Sequence, residues 1–549
     1  METDPEKNEK KQGIVIQTDI ESIIDNESHD GSTVGTSEDY TDHFMHDKKL
    51  KKALNSRHLS IITVVSVFGT GLFLSSGGTL AKTGPVGIII CYIAVGTIVA
   101  ASQMCMAECS CLAPFTSGYI RHANMFISPS LGFTLGWIDV YGSIIPTELS
   151  AITVVMRYWS DLNPAVWVTI FGVAMVVVNS YNVRWYGEIE FVFGLLKLSL
   201  IIILVVVGLV IDLGGTGDRI GFRYWVDPGP FAGRIFPGSL GHFIGFWSAI
   251  NSVVYSYGGV QAVSLLSGET TYPRRSIYRA AKKVFFITFS FYLAAVFMLS
   301  LIVPSNNKVI ASPTGTASAS PFVVAMSGQI DVLPHYINAV VVTSALSAGF
   351  YSITKSSRVL FALAAKDQAP KIFLRVNRNG LPYVAVIFVC AWIPLAYMAC
   401  SSGSANVFSW FQNITSSNLL LGWIIISLNH IFLNRALKAQ GYSRKDLPYT
   451  FPGTVFASWY ALFFSALFLL TGGFINFIHG QWDFGSFFGA YFIIPLSLSV
   501  FIGHSIWSKK FINNPAEVDL KSLFQHVQDN PEPPFPKLKG LKKINYLWS

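Results

Sequence analysis

The chain has 549 residues, of which 51% are hydrophobic and only 13% charged. A soluble domain of average composition carries roughly a quarter charged residues, so these proportions exclude an ordinary soluble protein and point to an all-α polytopic membrane protein. The net charge of +8 arises from basic residues clustered between apolar runs, which membrane topology explains better than nucleic-acid binding does.

Residues 1–47 are polar, rich in Asp, Glu, Ser and Thr, and lack apolar periodicity; they read as a disordered tail. Twelve spans follow, at about 59–81, 84–106, 130–156, 165–183, 189–212, 240–266, 283–304, 333–357, 381–400, 407–433, 455–478 and 484–507, each long enough for a bilayer. The first lies too deep in the chain, and is too long, for a cleaved signal peptide. Lys48, Lys49, Lys51, Lys52 and Arg57 precede span 1. Arg274, Arg275, Arg279, Lys282 and Lys283 follow span 6, Arg358, Lys366, Lys371, Arg375 and Arg378 follow span 8, and Arg435, Lys438, Arg444 and Lys445 follow span 10. The opposite loops are poor in bases, so both termini, including the tail 509–549, are expected in the cytoplasm.

The remaining signals are mostly exclusions. The six cysteines form no disulfide framework, and Cys109 and Cys111 lack a second pair for a metal site; they read as small apolar helix residues. Asn413-Ile-Thr415 matches a glycosylation sequon but falls inside span 10. No grouping of nucleophile, base and oxyanion donors suggests an enzyme, and no continuous polar helix face suggests a channel.

Glycine breaks carry the functional signal. Span 1 contains "SVFGTGLFLSSGG", with Gly69, Gly71, Gly77 and Gly78, and span 6 contains "VVYSYGGVQAVSLLSGE", with Gly258 and Gly259. Glycine weakens a helix, and an unwound backbone in hydrocarbon costs several kcal/mol per unpaired group unless a cavity or ligand lies beside it. Spans 1 and 6 are five apart, an odd number, so the second set crosses inverted. Matching breaks in inverted halves are the pattern of a secondary transporter. Half-helix N-termini suit a carboxylate and freed carbonyls suit an ammonium. Together they fit a zwitterion, an amino acid.

These segments resemble a fungal amino acid permease of the amino acid–polyamine–organocation superfamily over about residues 48–515. The likeness rests on "HLSIITVVSVFGTGLFLSSGGTLAKTGPVG", "YGEIEFVFGLLKL", "GFRYWVDPGPF", "SGETTYPRRSI", "SALSAGFYSITKSSRVLFALAAKDQAPKIF" and "NRALKAQGYSRKDLPY". The resemblance implies a LeuT-like 5+5 inverted repeat, about 59–212 and 240–433, with discontinuous helices 1 and 6, then helices 11 and 12 at about 455–507, completing a core of 48–508. It implies proton-coupled amino acid uptake at the plasma membrane, with the proton as coupling ion and no cofactor. Gly69, Thr70 and Gly71 match the family's carboxylate-binding break. Ser256, Gly258 and Gly259 match the ammonium-side break, flanked by Tyr257 and Gln261. Lys197 matches a span-5 lysine placed where sodium-coupled members hold their ion. A lysine inside a membrane helix is costly, which favours a coupling role on physical grounds too. Snorkelling to an interface, or pairing with Glu190, is the structural alternative. The resemblance also suggests ubiquitin and trafficking partners on the tail, near Lys7, Lys10 and Lys11, besides membrane lipid and the amino acid itself.

Three positions depart from the family pattern. Gln261 replaces a usual Glu; a neutral amide cannot hold a proton as a carboxyl does. Asp139 stands in span 3 where an aromatic residue is usual. It is a candidate for coupling or substrate charge selection, as is Glu148, which matches the family. Nine residues, about 900° of helix, put these two on opposite faces. Phe350 stands where a small polar residue, often Asn, is usual and narrows the pocket if it faces it. Lys355 is expected to snorkel to the cytoplasmic surface beside Arg358. Tyr255 is a candidate gate or cation–π partner, and Glu108 is expected to pair with a base. Three activities stay open at this point: an amino acid transporter, an amino acid sensor that transports little, and a permease for another cation such as a polyamine or carnitine.

Overall fold

The structure is a computed structural model that describes residues 63 and 66–532, apart from 116, 143–144, 182, 216, 266–271, 312–319, 328–329 and 378–379. The tail 1–47 with its lysines, the bases ahead of span 1, Arg378 and residues 533–549 lie outside the described residues. Among the described residues the regular elements are all helical. In chain order the principal ones are α1 (Gly71–Leu112), α2 (Pro129–Tyr141), α3 (Ile145–Met156), α4 (Pro164–Tyr181), α5 (Val183–Asp212), α6 (Gly238–Ser256), α7 (Ala262–Leu265) and α8 (Pro273–Ile302). They continue as α9 (Leu333–Ala365), α10 (Tyr383–Cys390), α11 (Ser404–Ala439), α12 (Thr454–Thr471), α13 (Phe484–Tyr491), α14 (Ile493–Ser508) and α15 (Leu520–Asp529).

Nine of the described helical segments are long and apolar enough to cross a membrane. Three of the twelve expected spans account for the difference. Expected spans 1 and 2 merge in α1, α4 is a shorter apolar helix, and α6, threaded with glycine, serine and asparagine, falls outside the nine. As one rod, α1 would be about 60 Å long, twice the hydrocarbon thickness. It is divided at Gly84, whose φ of 77° is non-helical. A Cβ there would lie 2.6 Å from Ala232 N and 2.7 Å from Phe231 Cα. The segment before α6 thus packs into the break and supplies its hydrogen bonds, Ala232 N–H to Thr83 O and Val86 N–H to Pro230 O.

Outward faces carry exposed apolar stripes at helical spacing. Ile170, Val173 and Val177 form one on α4, and Leu195, Ile202, Val206 and Leu209 one on α5. Continuous stripes of this size suit lipid and would be an aggregation liability in water. Polar and charged groups turn inward. Cys91, Cys105, Cys109 and Cys111 are all buried along α1.

One end of the bundle is fastened by polar clusters. Glu108, near the end of α1, is fully buried and accepts from Arg444 Nη2 at 2.8 Å, Phe451 N–H at 2.7 Å and Thr454 Oγ1 at 2.7 Å, with His430 Nε2 at 2.8 Å. The expected pairing of Glu108 with a base therefore ties α1, α11 and the start of α12. His122, between α1 and α2, is buried, stacks on Phe126 and places Nε2 2.7 Å from Ala113 O. The chain from 513 to 532 reaches back over three loops. Asn513 donates to Asn124 O and Met125 O, Gln440 donates to Pro515 O and Val518 O, and Arg274 donates to Asn530 O. Glu532 caps the N-terminus of α8 through the N–H groups of Arg274 and Arg275, and Leu520 and Leu523 of α15 are buried.

Candidate functional site

The glycine-rich stretches of spans 1 and 6 are both interrupted, and the interruptions touch. The chain bends at Phe68–Gly69 before a π-helical turn at Gly71–Ser75. The other segment leaves the helix after Ser256, turns through 257–261, and resumes as α7. A Cβ on Gly71 would lie 2.5 Å from Ser256 Cα and 2.9 Å from its N. A Cβ on Gly259 would lie 2.5 Å from Ser66 O, and its φ of 91° favours glycine independently. These glycines are thus where two backbones cross. The Cβ position of Gly69 meets only Val67 O, at 3.9 Å, and that of Gly258 packs on Leu419 and Tyr255 O.

The carbonyls freed by the breaks are gathered by side chains. Tyr292 of α8 has its hydroxyl 2.7 Å from both Val67 O and Ser256 O. One hydroxyl hydrogen serves only one of them at a time, so two carbonyls of opposite breaks share a single donor. Ser344 donates to Phe68 O at 3.2 Å and Gln103 to Val260 O at 2.6 Å, while Ser66 Oγ, 2.9 Å from Thr63 O, lies 3.4 Å from Gly259 O. Ser256 Oγ lies 3.1 Å from Tyr92 OH, and Tyr257 donates to Tyr92 O. The rings of Tyr92, Tyr257 and Tyr292 pack together, fully buried.

Two of the coupling candidates lie close to the breaks in buried polar chains. Glu148 of α3 accepts from Thr70 Oγ1 at 3.0 Å and Tyr255 OH at 2.8 Å, while Thr70 and Tyr255 lie 2.8 Å apart. All three are buried. Tyr255, expected as a gate, is held by this carboxylate and meets Phe408 edge-on. Lys197 of α5 is fully buried rather than snorkelling. Its Nζ donates to Ser347 Oγ at 2.8 Å, and Ser347 donates to Glu190 Oε2 at 2.7 Å. Ser347 on α9 thereby relays between the lysine and the carboxylate on α5.

Asp139, on α2, has partners different from those of Glu148, on α3. Its Oδ1 takes Lys355 Nζ at 2.9 Å and Tyr119 OH at 3.4 Å. The expectation for Lys355 is corrected here: it does not reach the surface, because a buried carboxylate on the neighbouring helix offers its ammonium a partner within side-chain reach. The pair lines a narrow cavity with Gln261, Tyr119, Thr415 and Asn418, with room for about one water molecule. Phe350 is buried against Phe193 of α5, ring planes within 13° and centroids 6.3 Å apart, and is not part of that lining. Ser416 donates to Asn251 O and Ser417 to Ala490 O, so neither hydroxyl is free for a pathway.

Sequence reasoning missed Tyr292, Gln103, Ser347 and the Lys355 partnership. A tyrosine or glutamine inside an apolar run was the available signal for the first two. The others depend on contacts between helices distant in sequence.

The amino acid permease family model matches residues 58–515. The chain is 35% identical over 497 residues to a dicarboxylic amino acid permease of Saccharomyces cerevisiae, covering 88% of this chain and 81% of that protein. It is 34% identical to a lysine-specific permease of Saccharomyces cerevisiae over 90% of this chain and 82% of that protein. A proline-specific permease of Emericella nidulans is 33% identical over 86% of this chain and 88% of its own length.

Proposed function

The chain belongs to the amino acid permease family, and from that premise we propose that it takes up amino acids across the plasma membrane by proton symport with alternating access. The observation that carries this reading is the crossing of two interrupted helices at Gly71 and Ser256, with carbonyls of both breaks turned to one hydroxyl. An ammonium brings three donors to carbonyls that have one donor between them. The N–H groups of Gly69–Gly71 then take the carboxylate. The fold proposed around this site has twelve spans in two inverted five-helix repeats, about 59–212 and 240–433. Spans 1, 2, 6 and 7 rock against 3, 4, 8 and 9.

The position of Glu148 supports proton coupling. Its carboxylate touches Thr70, between the glycines assigned to the substrate carboxylate. Two ionised carboxylates ~5 Å apart repel by about 3 kcal/mol at an effective dielectric of 20. Protonated Glu148 removes that repulsion, so substrate and proton enter together. The chain Lys197–Ser347–Glu190 is proposed as a second place where the proton's charge is registered, at the α5–α9 contact.

The test is uptake of labelled amino acids into cells, with and without a protonophore. Accumulation that collapses with the protonophore is expected, and accumulation indifferent to it refutes the symport. Glu148→Gln should retain exchange of internal for external substrate while losing the dependence of uptake on external pH. The three relatives named above for acidic, neutral and basic amino acids are nearly equally similar, so substrate choice must rest on pocket residues.

A further inference from the structure

The chain that follows α14 crosses the end of the bundle that carries the basic loops, and it is fastened there at three places. Ahead of α2, Asn513 gives its N–H to Ile127 O at 2.7 Å and its Nδ2 to Met125 O at 2.9 Å. Beyond α11, Gln440 donates to Pro515 O and Val518 O, Phe524 of α15 stacks on Tyr442 with ring centroids 4.7 Å apart, and Leu520 and Leu523 are buried. At the start of α8, Arg274 donates to Asn530 O at 2.8 Å, and the N–H groups of Arg274 and Arg275 donate to the two carboxylate oxygens of Glu532 at 3.0 and 2.8 Å. The first turn of a helix needs acceptors for its free N–H groups, yet Tyr272, directly ahead of α8, makes no side-chain cap. Glu532 supplies the cap from 257 residues away, with a charge that suits the positive end of the helix. A cap carried by so distant a segment leaves and returns without any change in α8 itself.

We propose that residues 513–532 are a strap that holds the cytoplasmic face of the permease shut and lets go at Glu532 each time the carrier opens inward. The inference rests on the alternating-access reading above and adds its latch. In that reading α8 is span 7 and moves with spans 1, 2 and 6, whereas α2 belongs to span 3 of the opposing half. Inward opening parts the two halves on this face, and the strap runs from one to the other. Its middle is pinned by Leu520, Leu523 and the Phe524 stack, so little slack is stored between the anchors. One attachment has to yield. Undocking the middle would expose two buried leucines and a phenylalanine to water, at the full cost of their apolar area. Undocking Glu532, half-buried at the far end, exchanges its hydrogen bonds for hydrogen bonds to water, a much smaller loss. The Glu532 cap is therefore the attachment that opens, and its strength sets how rarely the inward-open state forms.

The experiment measures half-saturation on each face. Cells expressing the full chain are preloaded with labelled amino acid, and efflux into medium containing unlabelled substrate is followed against internal concentration. Uptake is followed against external concentration in the same cells. Glu532→Ala removes the cap. The inward-open fraction should rise roughly fivefold, the scale of losing one helix cap, and internal half-saturation should fall by the same factor, because apparent affinity scales with the competent fraction. External half-saturation should hold or rise. Glu532→Gln, which keeps an accepting oxygen without the charge, should fall between. Asn514→Ala is the control: its side chain bonds Glu517 and Ala516 of the same segment, so both constants should stay as they are. A general loss of stability would lower surface protein and maximal rate without moving internal half-saturation alone. Surface protein is quantified for each variant, and should Glu532→Ala not reach the surface, Glu532→Gln decides. Unchanged internal half-saturation in the Glu532 variants, or an equal change in Asn514→Ala, overturns the strap. Absence of transport by the unaltered chain for every amino acid tested overturns instead the uptake reading on which it rests.

Discussion

A single methyl group at Gly71 tests the crossing of the two broken helices. In Gly71→Ala the new Cβ would stand 2.5 Å from Ser256 Cα, 2.9 Å from its N and 3.0 Å from its Oγ. Carbon atoms prefer about 3.5–4.0 Å, so the two backbones must separate by roughly 1 Å. The nearest atoms are main chain, so no rotamer change relieves the clash. Overpacking of this kind costs about 1–3 kcal/mol; with two backbones involved, the upper end applies. A penalty of ~3 kcal/mol disfavours the crossed arrangement by about a hundredfold. Initial rates of amino acid uptake, normalised to surface protein, should fall at least tenfold. Ser256→Gly on the same background should not restore them, because it removes Oγ and leaves Cα in place. Gly78→Ala is the control: nothing lies within 4 Å of its Cβ position, so rates should be unchanged. Normal uptake by Gly71→Ala, or full rescue by Ser256→Gly, would refute the reasoning.

Three further outcomes are expected. Tyr292→Phe strips the shared donor from Val67 O and Ser256 O, which costs about 1–3 kcal/mol; the unfolding temperature in detergent should drop and KM for substrate should change, whereas an unchanged KM and melting curve would deny the hydroxyl its role. Glu108→Ala leaves His430 and Arg444 without their carboxylate and should lose about 3 kcal/mol, with Glu108→Gln recovering part; equal stability of all three proteins would contradict the cluster. Burial, reinforced by neighbouring Arg121 against the Ala113 carbonyl, pushes the His122 imidazole from 6.5 down to about 4. The folded protein thus holds it neutral while the unfolded chain takes up a proton below its usual value. Stability is therefore complete above pH 6.5 and falls between 6.5 and 4 by at most ~1.4 kcal/mol per pH unit; His122→Gln should flatten the pH dependence of melting, and an unaltered slope would count against it.

What could be read from the sequence was whatever breaks a local rule. Glycines 69, 71, 258 and 259 violate helix propensity in the middle of apolar runs, and there the helices part and meet. Lys197, Glu148 and Asp139 violate hydropathy, and all three are buried in polar contacts. Partners were the illegible portion. Lys355 has the same local context as a snorkelling lysine; only the packing of α9 on α2 shows that Asp139, 216 residues earlier, lies within 2.9 Å. Ser347 looks like a helix serine bonding back to its own turn, yet it joins Lys197 to Glu190. Phe350 drew attention as a departure from a family pattern, but its ring faces Phe193, a neighbour periodicity cannot name. The division of α1 at Gly84 depends on residues 230–232 packing into it, nearly 150 positions downstream.

The stretch from 513 to 532 touches the loop before α2, the loop after α11 and the start of α8, and it is synthesised after every helix it fastens. During biosynthesis those loops are therefore threaded and positioned while their clasp does not yet exist.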